Sequence, residues 1–341
     1  MKSESAMDEN LYPYVVEPKA APAIWGGESW KCWDDNPVTN GPLAGKRIAE
    51  LRADLGATLL GSLDPAQIFP VLTKIIDARQ ALSVQVHPDD AYARRVEHQH
   101  NGKTECWYIL SATDDASLVL GWSQDTTRAE YERRVADGTL GDILRRVPVK
   151  AGDAFYLPAG TLHAIGAGIV LFETQQASDL TYRIFDWNRV GADGKPRQLH
   201  VQKAGDVLDY HRSTASATAQ IAYRFEGLSR LALIADSRFV VERIVATEEP
   251  HSMSTHERPL IFMPLDRPLT IEAGGTTVTL EAEQCAIVPA AARWCTVSSD
   301  AHGGAHVMFV TPPASREAYA AQLLAAGVDQ THLDAFMAQF A

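Results

Sequence analysis

Polar and apolar residues alternate along Leu82-Ser83-Val84-Gln85-Val86-His87, and the run stops at Pro88. Strict alternation ended by proline predicts a strand running into a turn. Residues two apart in a strand share a face. Ser83, Gln85 and His87 therefore fall on one side, and Leu82, Val84 and Val86 on the other. The pattern suits a sheet with one wet and one dry face. After the Asn101-Gly102 turn, Lys103 to Leu110 is rich in aromatic and β-forming residues and predicts a second strand. From Val147 to Arg189 short strands alternate with the turns Ala151-Gly152-Asp153, Pro158-Ala159-Gly160 and Gly166-Ala167-Gly168. Short strands continue from residue 221 to about 312, among them Phe239 to Val245 and Leu260 to Met263. Many short strands separated by Gly/Pro turns predict a barrel or sandwich.

Helical spacing is confined to a few stretches: Lys46 to Leu60, Asp89 to His98, Thr126 to Arg146 and residues 314–341. In the third, Tyr131, Val135, Leu140, Ile143 and Leu144 form an apolar stripe. Residues 1–23 are polar and proline-punctuated and are expected on the surface, and Ile24 to Trp30 reads as a tight loop beside a pocket. The small, polar stretch Ser213 to Gln220 reads as a linker, which sets the expected domains at 1–215 and 216–341.

Composition narrows the classes. The chain has 341 residues, 46% hydrophobic and 22% charged, enough for two domains or one large one. A formal net charge of −12 argues against a nucleic-acid or anionic-membrane partner, while leaving room for a local cationic pocket. The four cysteines form no Cys-x-x-Cys pair, so neither a disulfide framework nor a thiolate zinc site is indicated, and a reduced cytosol suits them. No signal-peptide pattern and no membrane-spanning apolar run is present, which sets the expected location as cytoplasmic.

The polar faces supply the candidate chemistry. Gln85 and His87 share one face; Glu105 lies on the second strand, with Lys103 two residues earlier; His163 follows the Pro158-Ala159-Gly160 turn. Two imidazoles, a carboxylate and an amide oxygen make a borderline N/O set, suited to zinc with an open position, or to manganese, iron or cobalt. Polar strand residues facing solvent give the same pattern, so spacing alone leaves both readings open.

Longer motifs go further. Gln85-Val86-His87-Pro88-Asp89-Asp90, Gly102-Lys103-Thr104-Glu105-Cys106-Trp107-Tyr108, Leu157-Pro158-Ala159-Gly160-Thr161-Leu162-His163-Ala164 and Ser178-Asp179-Leu180-Thr181-Tyr182-Arg183 with Asp186-Trp187 resemble the type I mannose-6-phosphate isomerases. Asn40-Gly41-Pro42-Leu43-Ala44-Gly45-Lys46 is similar to the short bacterial members. The resemblance runs in order from about residue 24 to about residue 205 and is faint beyond residue 220. It implies a mainly β fold of two cupin-type jelly-roll barrels, with helical insertions and a C-terminal helical tail. It implies one divalent metal per chain, zinc first, held by Gln85, His87, Glu105 and His163; the second half carries no matching ligand pattern. Arg183 matches the family's catalytic arginine and Glu173 an active-site glutamate, a candidate base alongside metal-bound water. Lys103 is a candidate proton relay, and Lys74, Ser83 and Arg189 match residues lining the phosphate end.

The implied reaction interconverts mannose 6-phosphate and fructose 6-phosphate through an enediol. An isomerase of unphosphorylated or other aldoses is the neighbouring reading, and a non-catalytic metal-containing sugar-binding cupin is the reading from another class. In one respect the chain departs from the family. Ile24-Trp25-Gly26-Gly27 runs directly into Glu28-Ser29-Trp30, where relatives often have a longer Gly-rich segment, so a loop that bears on phosphate selectivity is expected to be short.

Overall fold

A computed structural model describes residues 9–64, 68–187, 189–190, 194–313 and 315–340. The chain forms two compact units. One comprises Ala20–Ser29 and Lys74–Ala217; the other comprises the chain up to Lys19, Trp30–Thr73 and the chain from Thr218 onward. The expected division at 215/216 differs from this at the N-terminal end. Tyr14–Val16 is a strand whose partner is Cys285–Val288, pairing Tyr14 with Ile287, so an early segment belongs with the late strands. The expectation of a surface course for residues 1–23 is corrected for the same reason: Tyr12, Tyr14 and Val16 are buried. Residues 1–8 lie outside the described residues.

The first unit is built on two sheets. In the five-stranded sheet the order is Tyr182–Phe185, Val84–Val86, His163–Ile165, Ser117–Trp122, Leu144–Pro148. In the other the order is Lys19–Ala23, Gly26–Cys32, Val71–Ala78, Ile169–Gln176, Glu105–Ala112, Ala154–Leu157. Alternation decides what each face does. Leu118, Leu120 and Ile165 of the first sheet meet Ile76, Trp107, Ile109, Phe155 and Leu171 of the second in one core. The intervening positions, Val84, Val86, Val119, Ala164, Tyr182 and Ile184, pack on the outer side with Tyr131 and Ala204 from the helices Arg128–Ala136 and Val201–Val207. Both faces of the five-stranded sheet are therefore apolar over most of their area, and the polar side chains are gathered on the inner face.

Three local expectations change. The stripe from Thr126 to Arg146 is not one helix: the helix Arg128–Ala136 stops at Asp137, and Gly138 takes a left-handed φ of 69°. Leu140–Ile143 then forms a 3-10 turn and Leu144–Pro148 a strand paired with Ser117–Trp122. A helical apolar period continued through a turn that glycine had already ended. Lys46 to Leu60 is likewise broken at Gly56, into Ile48–Leu55 and Ala57–Leu60. Ile24 to Trp30 is a hairpin turn and strand rather than a loop. At Gly26, φ is 145° and an added Cβ would sit 1.9 Å from the Asp77 carbonyl oxygen, so only glycine lets the two strands approach this closely.

The second unit also has two antiparallel sheets, of seven and four strands, around a core that includes Ile244, Met253, Phe262, Ile271, Val297 and Phe309. The expected helical tail is present as Arg316–Ala325 and Gln330–Met337. Ser315 caps the first through its hydroxyl and Asp329 the second through its carboxylate. The architecture is mainly β, as expected.

Candidate active site

Register brings the polar groups together. Gln85 pairs with His163 on one side and with Arg183 on the other. His163 also pairs with Leu120, whose side chain is in the inner core. Directly paired residues face the same way, so Arg183, Gln85 and His163 form a row on the inner face. On the opposing sheet Glu105 pairs with Gln175 and Leu157, and Trp107 with Glu173 and Phe155. Phe155, Leu157 and Trp107 belong to the same core, which places Glu105, Glu173 and Gln175 inward as well.

The turns are fastened to one another at this end. Gly102 N donates to Asp90 Oδ1 at 2.8 Å, and Lys103 N to the Pro88 carbonyl at 2.9 Å. Gly160 N donates to the His87 carbonyl at 2.9 Å. Gln176 donates its amide to Asp90 at 2.9 Å and accepts from Thr104 N at 2.9 Å. The Gln-Val-His-Pro-Asp-Asp, Gly-Lys-Thr-Glu and Pro-Ala-Gly motifs are thus one hydrogen-bonded frame, a structural reason for their joint appearance.

His87, Glu105 and His163 are all buried, and their ligand atoms lie within 4.8 Å of one another. His87 Nδ1 lies 2.7 Å from the Leu180 carbonyl and His163 Nδ1 lies 2.9 Å from the Thr161 carbonyl. A carbonyl only accepts, so each Nδ1 carries the proton and each Nε2 presents a lone pair. Those lone pairs face the Glu105 carboxylate, with His87 Nε2 3.5 Å from Oε2 and His163 Nε2 3.1 Å from Oε1. Burial, followed by the charge of Lys103, holds His87 well below the usual imidazole range, so it is neutral. Its Nε2 is buried without a hydrogen-bond partner. Acceptors turned toward one another in a dry interior repel unless a cation stands between them. The set therefore fits a divalent metal. Gln85 Nε2 lies 3.2 Å from His163 Nε2, and a flip of the amide presents its oxygen to the same point.

A second charged group surrounds the first. Lys103 Nζ is 2.7 Å from Glu105 Oε2. Burial works to discharge Lys103, but Glu105 and Glu173 outweigh it and keep the ammonium charged. Burial likewise acts to raise Glu105, and the charge of Lys103 outweighs it and holds the carboxyl well below the usual carboxylate range. Glu173 goes the other way: burial, reinforced by the charge of Glu105, pushes its carboxyl up. Trp107 Nε1 donates to Glu173 Oε2 at 2.8 Å, and Lys74 Nζ stands 3.3 Å from Oε1. Arg183 is half-buried; Nη1 donates to the Gln198 carbonyl at 2.9 Å, and Nε is buried without a partner.

The residues expected at the phosphate end separate. Ser83 is buried between Leu82, whose carbonyl accepts from Trp187 Nε1 at 2.7 Å, and Val84, which pairs with Phe185. Arg189 donates to Asp186 at 2.5 Å. Lys74, by contrast, is buried against two carboxylates, Glu173 and, at 3.1 Å, Glu28. Its ammonium is engaged with this carboxylate pair. Sequence reasoning missed Arg197, which donates to both oxygens of Asp186 at 2.7 and 2.6 Å, and the Glu28 and Trp107 contacts. Arg197 carries no pattern signal; Glu28 was visible only as part of an aromatic, Gly-rich stretch.

A family model described as phosphomannose isomerase type I, catalytic domain, matches residues 4–109. A probable mannose-6-phosphate isomerase, GmuF of Bacillus subtilis, is 40% identical over 218 residues, covering 58% of this chain and 68% of the relative. The mannose-6-phosphate isomerase ManA of the same organism is 42% identical over 217 residues, with the same coverage of 58% and 68%. The crystal structure of the mannose 6-phosphate isomerase from Bacillus subtilis aligns with a TM-score of 0.79 at 28% identity, over 88% of this chain and 99% of that one. A zinc-bound mannose 6-phosphate isomerase shares the fold, with a TM-score of 0.65 at 13% identity over 88% and 98% of the two chains. With the ordered motifs, the buried His/Glu/His set and these relatives in agreement, the chain belongs to the type I mannose-6-phosphate isomerase family.

Proposed function

We propose that this chain interconverts mannose 6-phosphate and fructose 6-phosphate, using the interior of the Lys74–Ala217 unit as the active site. The observation that carries the reading is the convergence of two imidazole lone pairs on the Glu105 carboxylate, in a row shared with Arg183. A divalent ion held by Gln85, His87, Glu105 and His163, zinc first among the candidates, would supply Lewis acidity and orientation at the sugar oxygens.

Converting the aldose to the ketose removes the proton from C2 and delivers one to C1, while O1 gains a proton and O2 loses one. Glu173 is assigned as the carbon base: burial raises its proton affinity toward the range in which a carboxylate both takes and returns a proton. Trp107 and Lys74 fix the direction of its oxygens. Lys103 is assigned to the proton exchange between O1 and O2. Arg183, in the same row as Gln85 and His163, is assigned to stabilise the enediolate charge. Ser83 and Arg189 are assigned to the phosphate, with Arg197 beside Asp186 completing that end. Lys74 serves Glu173.

The test is a coupled assay on zinc-reconstituted protein, with mannose 6-phosphate and free mannose in parallel. Turnover of the phosphorylated sugar with a much lower kcat/KM for free mannose is expected. Equal efficiency on both would move the reading to a general aldose isomerase, and sugar binding without turnover would move it to a binding protein.

A further inference from the structure

Tyr182–Phe185 is the edge strand of the five-stranded sheet, so one side of its backbone faces away from the sheet. At Arg183 that side is closed by a single residue. Arg183 N donates to His200 Nδ1 at 3.0 Å, and His200 N donates to the Arg183 carbonyl at 2.7 Å. In an antiparallel ladder the N–H and C=O of one residue point to the same side. Both bonds are therefore made on the side away from Gln85, the partner of Arg183 on the neighbouring strand. The same short segment also holds the side chain, through the bond from Arg183 Nη1 to the Gln198 carbonyl at 2.9 Å.

His200 stands immediately before the helix Val201–Val207, the place where a short polar side chain commonly caps the first turn. Its imidazole makes no such cap; its acceptor is turned to Arg183 instead. A backbone N–H only donates, so Nδ1 carries the lone pair and Nε2 the proton, the opposite tautomer from His87 and His163. Burial, followed by the charge of Arg183, holds His200 below the usual imidazole range, which keeps that lone pair free near neutrality. The hold falls where the ladder is irregular: the register against Val84–Val86 shifts between Arg183 and Phe185.

An edge strand with a register shift beside its functional residue needs a second hold, because a misplacement of about 1 Å at a reacting group can cost roughly 100-fold in rate. We infer that His200 is a positioning residue for Arg183: it accepts the Arg183 N–H, returns an N–H to the Arg183 carbonyl, and so keeps the guanidinium in the row of Gln85 and His163. This role rests on the assignment of Arg183 to the enediolate under the proposed function.

Two substitutions in the full chain separate the acceptor from the ring. His200→Phe keeps a ring beside that of Tyr182, whose centroid lies 6.2 Å away, and removes the acceptor. His200→Asn removes the ring and sets an acceptor oxygen where Nδ1 stands. With zinc and mannose 6-phosphate, kcat is expected to fall about tenfold in His200→Phe, with KM changed by less than about twofold, and to stay within about threefold of wild type in His200→Asn. In an Arg183→Ala background, His200→Phe is expected to add less than about twofold, since it acts through the residue already removed. Long-range proton–nitrogen NMR, with the His200 signal identified by its loss in His200→Asn, is expected to show Nδ1 unprotonated at neutral pH. Turnover that follows the ring rather than the acceptor, losses that multiply in the double variant, or a protonated Nδ1 would overturn the role of His200. Arg183→Ala as fast as wild type would withdraw Arg183 from the chemistry and His200 with it; Arg183→Ala slow beside a fast His200→Phe would overturn His200 alone. Should His200→Phe fail to melt cooperatively, the tautomer and the turnover of His200→Asn decide.

Discussion

Arg183 and Gln85 are cross-strand partners. The pairing puts a guanidinium on the face and in the row of the candidate ligands, at a distance fixed by strand spacing rather than by a flexible loop. A charge placed there acts on what forms between the two sheets. Arg183→Ala is therefore expected to keep fold and metal content while kcat falls by about 100- to 1,000-fold, the usual cost of losing an electrostatic donor in a transition state. Coupled kinetics beside elemental analysis check it; unchanged turnover would make Arg183 a structural residue.

Metal content follows the lone pairs. Chelator treatment is expected to abolish turnover, and zinc to restore it. His87→Ala and His163→Ala should each lose most of the bound ion, because each removes one of the two Nε2 donors turned toward Glu105. Equal metal in wild type and both variants would remove the site from this unit.

Trp107→Phe removes the indole donor from Glu173 Oε2 and leaves the ring volume largely filled. A hydrogen bond to the ionised carboxylate favours that form, so its loss raises further a proton affinity that burial has already raised. If Glu173 is the base, the acid limb of the kcat/KM profile moves to higher pH in the variant. A limb that stays in place while activity falls would assign the base elsewhere.

At the phosphate end, Arg189→Ala is expected to raise KM for mannose 6-phosphate far more than for free mannose. A charge-assisted hydrogen bond contributes about 1.5–3 kcal/mol, roughly tenfold or more in affinity. Arg197→Ala is the companion measurement, since Asp186 binds both arginines. Parallel changes for both sugars would show that Arg189 only buttresses Asp186.

Asp186 also gives a pH signature. Burial acts to raise its carboxyl, but hydrogen bonds from Arg197 and Arg189 outweigh burial and hold it below its usual range. A depressed carboxylate stabilises the fold at pH above its unfolded value, near 3.9, and the contribution is lost as pH falls through the folded value. Asp186→Asn should thus lower Tm near neutrality, with the gap from wild type closing below about pH 4. A gap constant with pH would mean that the network adds nothing through charge.

Much of this site was legible in the sequence because it is written in strand alternation and in turn motifs. Gln85, Glu105 and His163 fall on inner faces through strand alternation, but the alternation does not extend to Leu82, which packs in the inner core while Val84 and Val86 pack on the outer side. The failures have a common cause. The contacts of Lys74 with Glu28 and Glu173 could not be read from the sequence, because these residues are distant in the chain and adjacent only through sheet order. Arg197 reaches Asp186 from an irregular segment without periodicity. At Gly138, apolar positions kept a helical rhythm by coincidence while the backbone had turned.

The strand Tyr14–Val16 finds its mate at Cys285–Val288, about 270 residues on, so at a synthesis rate of roughly 5–20 residues per second it waits some tens of seconds. Throughout that interval Tyr14 and Val16 have only the nearby 36–43 segment to pair with, as in the Val16–Val38 bridge, and the edge that will meet Cys285–Val288 stays open. A ribosome can complete the Lys74–Ala217 unit while this early segment still hangs as an apolar strand edge beside neighbours on the polysome. Slow codons late in the message, or a fragment ended at residue 215, would lengthen or perpetuate that exposure. Aggregation during expression should then track the delay before the Cys285–Val288 strand emerges, rather than the stability of the completed protein.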